Sequence, residues 1–283
     1  MTVADDHLLA CQLAREAGQR LLALRDSGDV APEALRSAGD RLSHEYLTAE
    51  LAKLRPDDAV LSEEGADDRT RLAARRVWII DPLDGTREFG EPGRTDWAVH
   101  VALWQDGELS AGAVALPAQD QVLSTKHPES RRPPGAGQLR VVVSRSRPPA
   151  FVARLVDELG AVEQPLGSAG AKAAAVITGR ADAYVHSGGQ FEWDSAAPVA
   201  VARAAGLHAS RVDGSPLRYN QADPTLPDIL ICPVELAPRL LSVIGSVMAS
   251  DQRPLPADAN AGDPQPRSDR PHSSRPHNDQ EPS

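Results

Sequence analysis

Residues 77–89 read VWIIDPLDGTREF and place two carboxylates directly after an apolar run. The apolar residues are good strand formers; they end at Asp81, and Asp84 follows three positions later. Pro82 fixes the backbone angle φ and turns the chain, so both carboxylates can converge instead of pointing to opposite faces of a strand. Two acids this close repel each other unless they share a proton or a hard cation. The spacing therefore predicts a cation site at the end of a buried strand.

The same stretch holds three further groups that suit a metal and an anion. The backbone carbonyl of Leu83 is an oxygen donor of the kind that Mg²⁺ accepts, and a carboxylate can bridge two such ions. Gly85 lets the backbone approach an anion closely, and the Thr86 hydroxyl can orient a water. A helix that starts here would also turn free N–H groups toward a phosphate. Taken alone, the dipeptide Asp84-Gly85 would indicate only a turn.

A complete metal shell needs acids from other parts of the chain, and two segments offer them. Glu63 and Glu64 end a short strand at residues 60–61, in the sequence LSEEG. Asp194 lies in the sequence EWD at the start of a predicted helix. Glu64 fits a solvated or supporting acid, and Asp194 alone could be an ordinary N-terminal helix charge. The Trp-Asp context favours metal ligation by Asp194.

Composition limits the classes of partner. The chain has 283 residues and a formal net charge of −10 with a pI near 5.3, which argues against a nucleic-acid polymer as partner. A small phosphorylated substrate is compatible with this charge if local cations screen it. Two distant cysteines argue against a disulfide framework. No run approaches the roughly 18 apolar residues of a membrane span, and the first residues do not resemble a secretory signal. We therefore expect no membrane partner and a cytoplasmic location.

Hydrophobic periodicity predicts helices and strands in alternation. A helix is expected over residues 7–24, a loop over residues 25–39, and a second helix that opens at Asp40 as its N-cap. A strand over residues 97–104, the turn Asp106-Gly107 and a strand over residues 112–116 form a predicted hairpin. The remaining predicted strands cover residues 122–125, 139–143, 183–185 and 229–232, and the remaining predicted helices cover residues 151–159, 169–178, 193–205 and 236–247.

Composition also suggests domain boundaries. The Pro- and Gly-rich segment 131–137 is expected to join two halves of one domain, about 1–134 and 138–250. Residues 251–283 are rich in Pro, Asp and Ser and contain almost nothing that could form a core. We expect this tail to be disordered.

Three motifs together resemble those of the inositol monophosphatase superfamily, the lithium-sensitive, magnesium-dependent phosphomonoesterases. They are WIIDPLDGT at residues 78–86, the preceding LSEEG, and WDSAAPVAVARAAGL at residues 193–207. The resemblance runs in the family's order from the first helix to about Val247. It implies an α/β fold, the layered α-β-α-β-α sandwich, with the metals where the two halves meet. Relatives are often dimers, so a homodimer is possible.

The resemblance also implies a ligand set for two or three Mg²⁺ ions. Glu63, Asp81 and the Leu83 carbonyl would bind the first ion, and Asp81, Asp84 and Asp194 the second. A third ion would use Glu63 and Asp40, which matches an early family aspartate, although a helix cap is an equally good role for Asp40. Thr86, with Glu63 or Asp40, would orient or deprotonate the attacking water.

Several features resemble one branch of the superfamily, the 3′(2′),5′-bisphosphate nucleotidases of sulfur assimilation. These are DGTREF, the strand end VVVSRSR at residues 141–147, and the helix start GSAGAK at residues 167–172. The resemblance implies that Arg145 and Lys172 hold a second phosphate, while Gly85, Thr86, Arg87 and Asp194 also contact substrate. Each of these cations could instead be an ordinary exposed charge.

The leading hypothesis is thus hydrolysis of 3′-phosphoadenosine 5′-phosphate to AMP and phosphate. The branch's usual lead-in to the early aspartate is missing, with Ser37 where a threonine is expected. Inositol 1-phosphate and fructose 1,6-bisphosphate therefore stay open as substrates. A non-enzyme alternative is a phosphate-binding or metal-sensing protein on the same fold.

Overall fold

A computed structural model describes residues 5–128, 137–146 and 148–251 of the chain. The seven α-helices found there are α1 (Asp6–Ser27), α2 (Pro32–Leu54), α3 (Thr86–Gly90), α4 (Val152–Leu159), α5 (Ala169–Ile177), α6 (Glu192–Ala204) and α7 (Ala237–Asp251). The strands of the same residues are β1 (Ala59–Ser62), β2 (Arg76–Asp84), β3 (Ala98–Gln105), β4 (Glu108–Leu116), β5 (Gln121–Ser124), β6 (Arg140–Ser144), β7 (Val162–Leu166), β8 (Ala183–Ser187), β9 (Leu207–Ser210) and β10 (Asp228–Pro233).

The strands form two five-stranded mixed sheets. The first has the order β1-β2-β3-β4-β5, in which only β1 and β2 are parallel. The second has the order β7-β6-β8-β10-β9, with β6 parallel to both of its neighbours and β10 antiparallel to both of its own. Strands from the first half of the sequence build one sheet, and strands from the second half build the other.

Alternating side chains divide the interior into three apolar layers, because successive residues of a strand point to opposite faces. Along β2, Val77 and Ile79 belong to the layer between the sheets, whereas Trp78 and Ile80 pack against α1 and α2. In the second sheet, alternate β6 residues face the central layer or pack against α4 and α7. Helices α5 and α6 fill the central layer. The order of layers is α-β-α-β-α, and the predicted fold class is confirmed.

The predicted loop over residues 25–39 is much shorter in the structure, where only residues 28–31 lie between α1 and α2. Helix α2 begins at Pro32, so Asp40 lies in its third turn and does not cap it. Gly39 falls in the predicted loop, but in the structure it is a contact residue within α2: a Cβ there would stand 2.9 Å from the Leu83 side chain and 2.8 Å from that of Phe89. Its lack of a side chain lets α2 approach the end of β2 closely. Pro32 suits the first position of α2 because the fixed φ of proline is close to the helical value.

Most of the other elements agree with the patterns read from the sequence. The hairpin of β3 and β4 is confirmed, with Asp106 and Gly107 both at positive φ in its turn. Strands β7 and β9 were missed; both lie at an edge of the second sheet, and β7 has mostly half-buried or exposed residues and a proline.

The joining segment and the tail lie outside the described residues, except for 137 and 251. The proposed domain boundaries therefore stay predictions.

Within the described ranges, no helix combines the length and apolar character that a membrane crossing requires.

Candidate active site

A cavity of about 300 Å³ opens where the two sheets meet. The ends of β1 and β2 and the starts of α3, α5 and α6 supply most of its walls. The residues that line it are Glu63, Asp81, Leu83, Asp84, Gly85, Thr86, Arg87, Glu88, Ser144, Ser146, Gly167, Ser168, Ala169, Lys172, His186, Gly189, Gln190 and Asp194. All five predicted metal ligands are in this set, as are Gly85, Thr86, Arg87 and Lys172; Asp40 and Arg145 are not.

The end of β2 turns sharply at Pro82. Asp81 still pairs with His100 of β3, but the register shifts before Asp84 pairs with Ala98. The Leu83 N–H donates to the Asp81 carboxylate, with 3.1 Å between N and Oδ1. Ligand atoms of Asp81, Asp84 and His100 lie within 4.8 Å of one another, in fully buried surroundings. The cluster offers donor atoms suited to a metal ion.

Asp84 is held by donors from the second half of the chain. Its Oδ1 accepts from the N–H of Ala169 at 3.1 Å, and its Oδ2 accepts from the N–H of Gly170 at 2.6 Å. The Nε2 atom of His100 lies 3.2 Å from Oδ2. Burial disfavours the carboxylate, but the charge of His100 and these donors outweigh burial, so the pKa of Asp84 is lowered. The carboxylate therefore ties β2 to the start of α5.

Three further acids of the cavity, Glu63, Asp81 and Asp194, lie close enough to repel one another. Burial raises the pKa of Asp81 well above its ordinary value, and the charges of Glu63 and Asp84 raise it further. Burial and the charge of Asp194 raise the pKa of Glu63 to about 7, although this side chain faces the open cavity. Burial and the charge of Asp84 raise the pKa of Asp194 to about 6. A divalent cation would relieve this repulsion, so the donor set fits a metal.

Thr86 connects the Pro82 turn to helix α2. Its hydroxyl lies 3.2 Å from Asp40 Oδ1 and 3.1 Å from the Leu83 carbonyl. Burial, followed by the charge of Glu64, raises the pKa of Asp40 to about 6. Gly85 adopts a φ of 85°, and a Cβ there would lie 2.8 Å from that of Ser168. The loop therefore needs glycine at this position, both for the positive φ and for the close approach to Ser168 before α5.

The three predicted substrate cations have different environments. Lys172 is buried, its ammonium donates to the Gly167 carbonyl at 2.7 Å, and burial lowers its pKa to about 8. Arg145 instead pairs with Glu88 at 2.6 Å and with Glu91 at 3.0 Å. Arg87 is exposed at the rim. Lys172 is thus the cation that the cavity buries most deeply.

Ser144, Ser146, His186 and Gln190 line the wall formed by the second half of the chain. Ser144 and Ser146 lie in the strand end VVVSRSR, which resembles a motif of the nucleotidase branch. His186 and Gln190 were not identified from the sequence, because an isolated His or Gln carries no spacing signal and only the fold could bring it to the cavity. His100 did carry a signal, since it is the one polar residue between Trp97 and Trp104.

Comparison with known proteins identifies the class. The profile of the inositol monophosphatase family matches residues 7–248, and this chain belongs to that family. A 3′-phosphoadenosine 5′-phosphate phosphatase of Mycobacterium leprae is 53% identical over 255 residues, which cover 86% of this chain and 94% of the relative. The 3′(2′),5′-bisphosphate nucleotidase CysQ of Escherichia coli K12 is 32% identical over 231 residues, covering 74% and 92% of the two chains.

Solved structures agree with this membership. The crystal structure of CysQ from Bacteroides thetaiotaomicron, a bacterial member of the same family, superposes with a TM-score of 0.72 at 27% identity. The match covers 81% of this chain and 97% of the CysQ chain. The resemblance inferred from the three motifs is confirmed.

Proposed function

We propose that this protein is a Mg²⁺-dependent phosphomonoesterase that hydrolyses 3′-phosphoadenosine 5′-phosphate to AMP and phosphate. One observation carries the choice of substrate: the same cavity holds a cluster of repelling carboxylates and a buried ammonium, that of Lys172. Cations held by the carboxylates suit the phosphate that is cleaved, and a separate fixed cation suits a second phosphate. The names of the two sequence relatives support the same substrate class.

Lys172 is the better candidate for holding the second phosphate. Burial costs its ammonium much of its hydration, so an incoming dianion would find a poorly solvated charge. The guanidinium of Arg145 is already neutralised by Glu88 and Glu91. The role of Arg145 is then to hold Glu88 in place beside Gly167, where a Cβ would stand 2.3 Å from the Glu88 side chain.

The residues that would hold Mg²⁺ are Glu63, Asp81, the Leu83 carbonyl, Asp84 and Asp194, for two ions. A third ion would use Glu63 and Asp40. Both oxygens of Asp84 already accept backbone N–H groups, yet Oδ1, which His100 does not face, retains a further lone pair. When bound, the ions lower the pKa of a bound water and neutralise charge on the phosphate.

The residues of the chain would position the nucleophile. Thr86 lies between Asp40 and the cavity, so its hydroxyl can donate to Asp40 while its oxygen accepts from a water. Glu63 or Asp40 would accept the proton that the attacking water loses. The bond from the water oxygen to phosphorus forms as the bond from phosphorus to the ribose 3′ oxygen breaks. The leaving oxygen takes up a proton from solvent to become the 3′-hydroxyl of AMP, and no phosphoenzyme arises. Gly85, with Thr86, would contact the transferred phosphate, and Arg87 and Asp194 the rest of the substrate.

A cytoplasmic location and a homodimer belong to the same proposal. Both are expected from the sequence and its resemblance to the family, and neither changes the chemistry above.

A comparison of four esters tests the substrate. We expect kcat/KM for 3′-phosphoadenosine 5′-phosphate to exceed that for 3′-AMP by about 100-fold, because 3′-AMP lacks the group that Lys172 would hold. The values for inositol 1-phosphate and fructose 1,6-bisphosphate should also be lower. Release of phosphate measured under Mg²⁺ saturation gives all four values. A clear preference for the inositol or sugar ester would overturn the assignment.

A variant at Lys172 isolates the second phosphate. Lys172→Gln should reduce the preference for the bisphosphate over 3′-AMP to within about threefold, while kcat for 3′-AMP stays close to wild type. The exposed Lys53, which pairs with Glu50 on α2, supplies the matched control Lys53→Gln. If Lys172→Gln kept the full preference, the second phosphate would bind elsewhere.

A further inference from the structure

We propose that His100 is a positioning residue for the metal site: its ring joins the Asp84 carboxylate to the backbone beside Asp194. The inference rests on the proposed function, because both aspartates are proposed ligands of the same ion. His100 is completely buried and is absent from the cavity lining, so it does not touch substrate.

The place of His100 in β3 is unusual for a polar ring. Its strand neighbours on the same face are Ala98 and Ala102, both of which belong to the apolar layer between the sheets. A buried imidazole in such a layer costs free energy unless its nitrogens find partners. Those partners come from two distant parts of the chain, the end of β2 and the start of α6.

Each ring nitrogen has its nearest partner in a different one of the two parts. Nδ1 lies 3.1 Å from the backbone carbonyl of Trp193, the residue that precedes Asp194, and 3.9 Å from Oδ2 of Asp81. Nε2 lies 3.2 Å from Oδ2 of Asp84, although it does not meet the directional criteria of a hydrogen bond to that oxygen. The contact with Asp84 is therefore an electrostatic one. The ring spans the gap between the two proposed ligands and limits how far they can separate.

The surrounding chain leaves space for the ring. At Gly170, a Cβ would stand 2.3 Å from Nε2 of His100 and 2.8 Å from the Ala98 side chain. Gly170 also donates its N–H to the same oxygen of Asp84 that faces the ring. The His100 ring, Gly170 and the Asp84 carboxylate thus pack against one another. A residue that only filled space in the apolar layer would need none of these contacts.

Three substitutions at His100 test this role through Mg²⁺ binding. The amide of Asn reaches about as far as Nδ1, and the amide of Gln about as far as Nε2, so each variant can keep one contact. Calorimetric titration of Mg²⁺ into the metal-stripped full chain should give a dissociation constant about 10- to 100-fold higher for His100→Ala. His100→Asn and His100→Gln should lie between Ala and wild type. His208→Gln, on β9 and bonded to Ser210, is the matched control and should bind as wild type does.

Kinetics separate positioning from a general loss of structure. At saturating Mg²⁺ the variants should recover most of kcat, with KM for the nucleotide within about twofold of wild type. Unchanged Mg²⁺ affinity in the Asn and Gln variants would overturn the proposal, whatever their melting temperatures and even if the Ala variant does not fold. The titration contains no nucleotide, so a wild-type protein that fails to hydrolyse the bisphosphate would refute the proposed function and not this inference.

Discussion

Asp81→Asn is expected to lower kcat by at least about 1,000-fold and, at the same time, to stabilise the metal-free protein. Turnover falls because the proposed ligand of both ions loses its charge. Stability rises because the buried carboxylate, whose pKa is raised by burial and by the charges of Glu63 and Asp84, no longer has to ionise. An Asn oxygen can still accept the Leu83 N–H, so the turn is retained.

The gain in stability should depend on pH. A raised folded-state pKa costs no stability below the unfolded pKa of about 4 and costs progressively more as the pH rises toward the folded-state value. The melting temperature of the variant should therefore equal that of the wild type near pH 4 and exceed it at pH 8. The difference should be about 2–4 °C for each kcal/mol gained in the free energy of unfolding. Asp106→Asn, in the exposed β3–β4 turn, is the control and should leave turnover unchanged. An Asp81→Asn protein with wild-type turnover would place the metals elsewhere.

Asp84→Asn is expected to lose both activity and stability. Both oxygens of Asp84 accept N–H groups from the start of α5, and an amide nitrogen at either position would face a donor. The substitution also leaves His100 without its charged partner in a buried site. Together these changes should lower the free energy of unfolding by about 3–5 kcal/mol. Chemical denaturation measures this loss, and phosphate release measures the activity.

Asp182→Asn supplies a comparison for the structural part of that effect. Asp182 also accepts a backbone N–H, that of Arg140 at 2.9 Å, and pairs with the Arg140 guanidinium outside the cavity. Its substitution should lower stability by about 1–3 kcal/mol while turnover stays at the wild-type level. Were Asp84→Asn as stable as wild type, Asp84 would not be the link between the two halves of the chain.

The strand, the turn and the acids could be predicted because each is specified by residues that are neighbours in the sequence. Four strand formers, a proline and two aspartates specify the end of β2 almost without tertiary context. The motif at residues 193–207 likewise carried its own helix pattern, and the structure has α6 there. The family and the fold could be predicted because three motifs with such local signals follow one another in the family's order, and both predictions are confirmed. The roles of the acids as ligands remain predictions.

The contacts between distant segments could not be predicted in this way. Gly39 falls in a predicted loop, and only the approach of α2 to Leu83 gives it a packing role. Arg145 looks like a phosphate ligand, and only the fold reveals its pairing with Glu88 and Glu91. The contacts of His100 depend on α5 and α6, which follow it by about 70 and 90 residues.

Anomalous diffraction from crystals soaked in Mn²⁺, a common substitute for Mg²⁺ at oxygen sites, would show whether the acidic cavity binds divalent ions. We expect at least two peaks in the cavity, one contacting Glu63, Asp81 and the Leu83 carbonyl, and one contacting Asp81, Asp84 and Asp194. A cavity without such peaks at saturating Mn²⁺, or peaks that none of these carboxylates contacts, would contradict the proposed metal site.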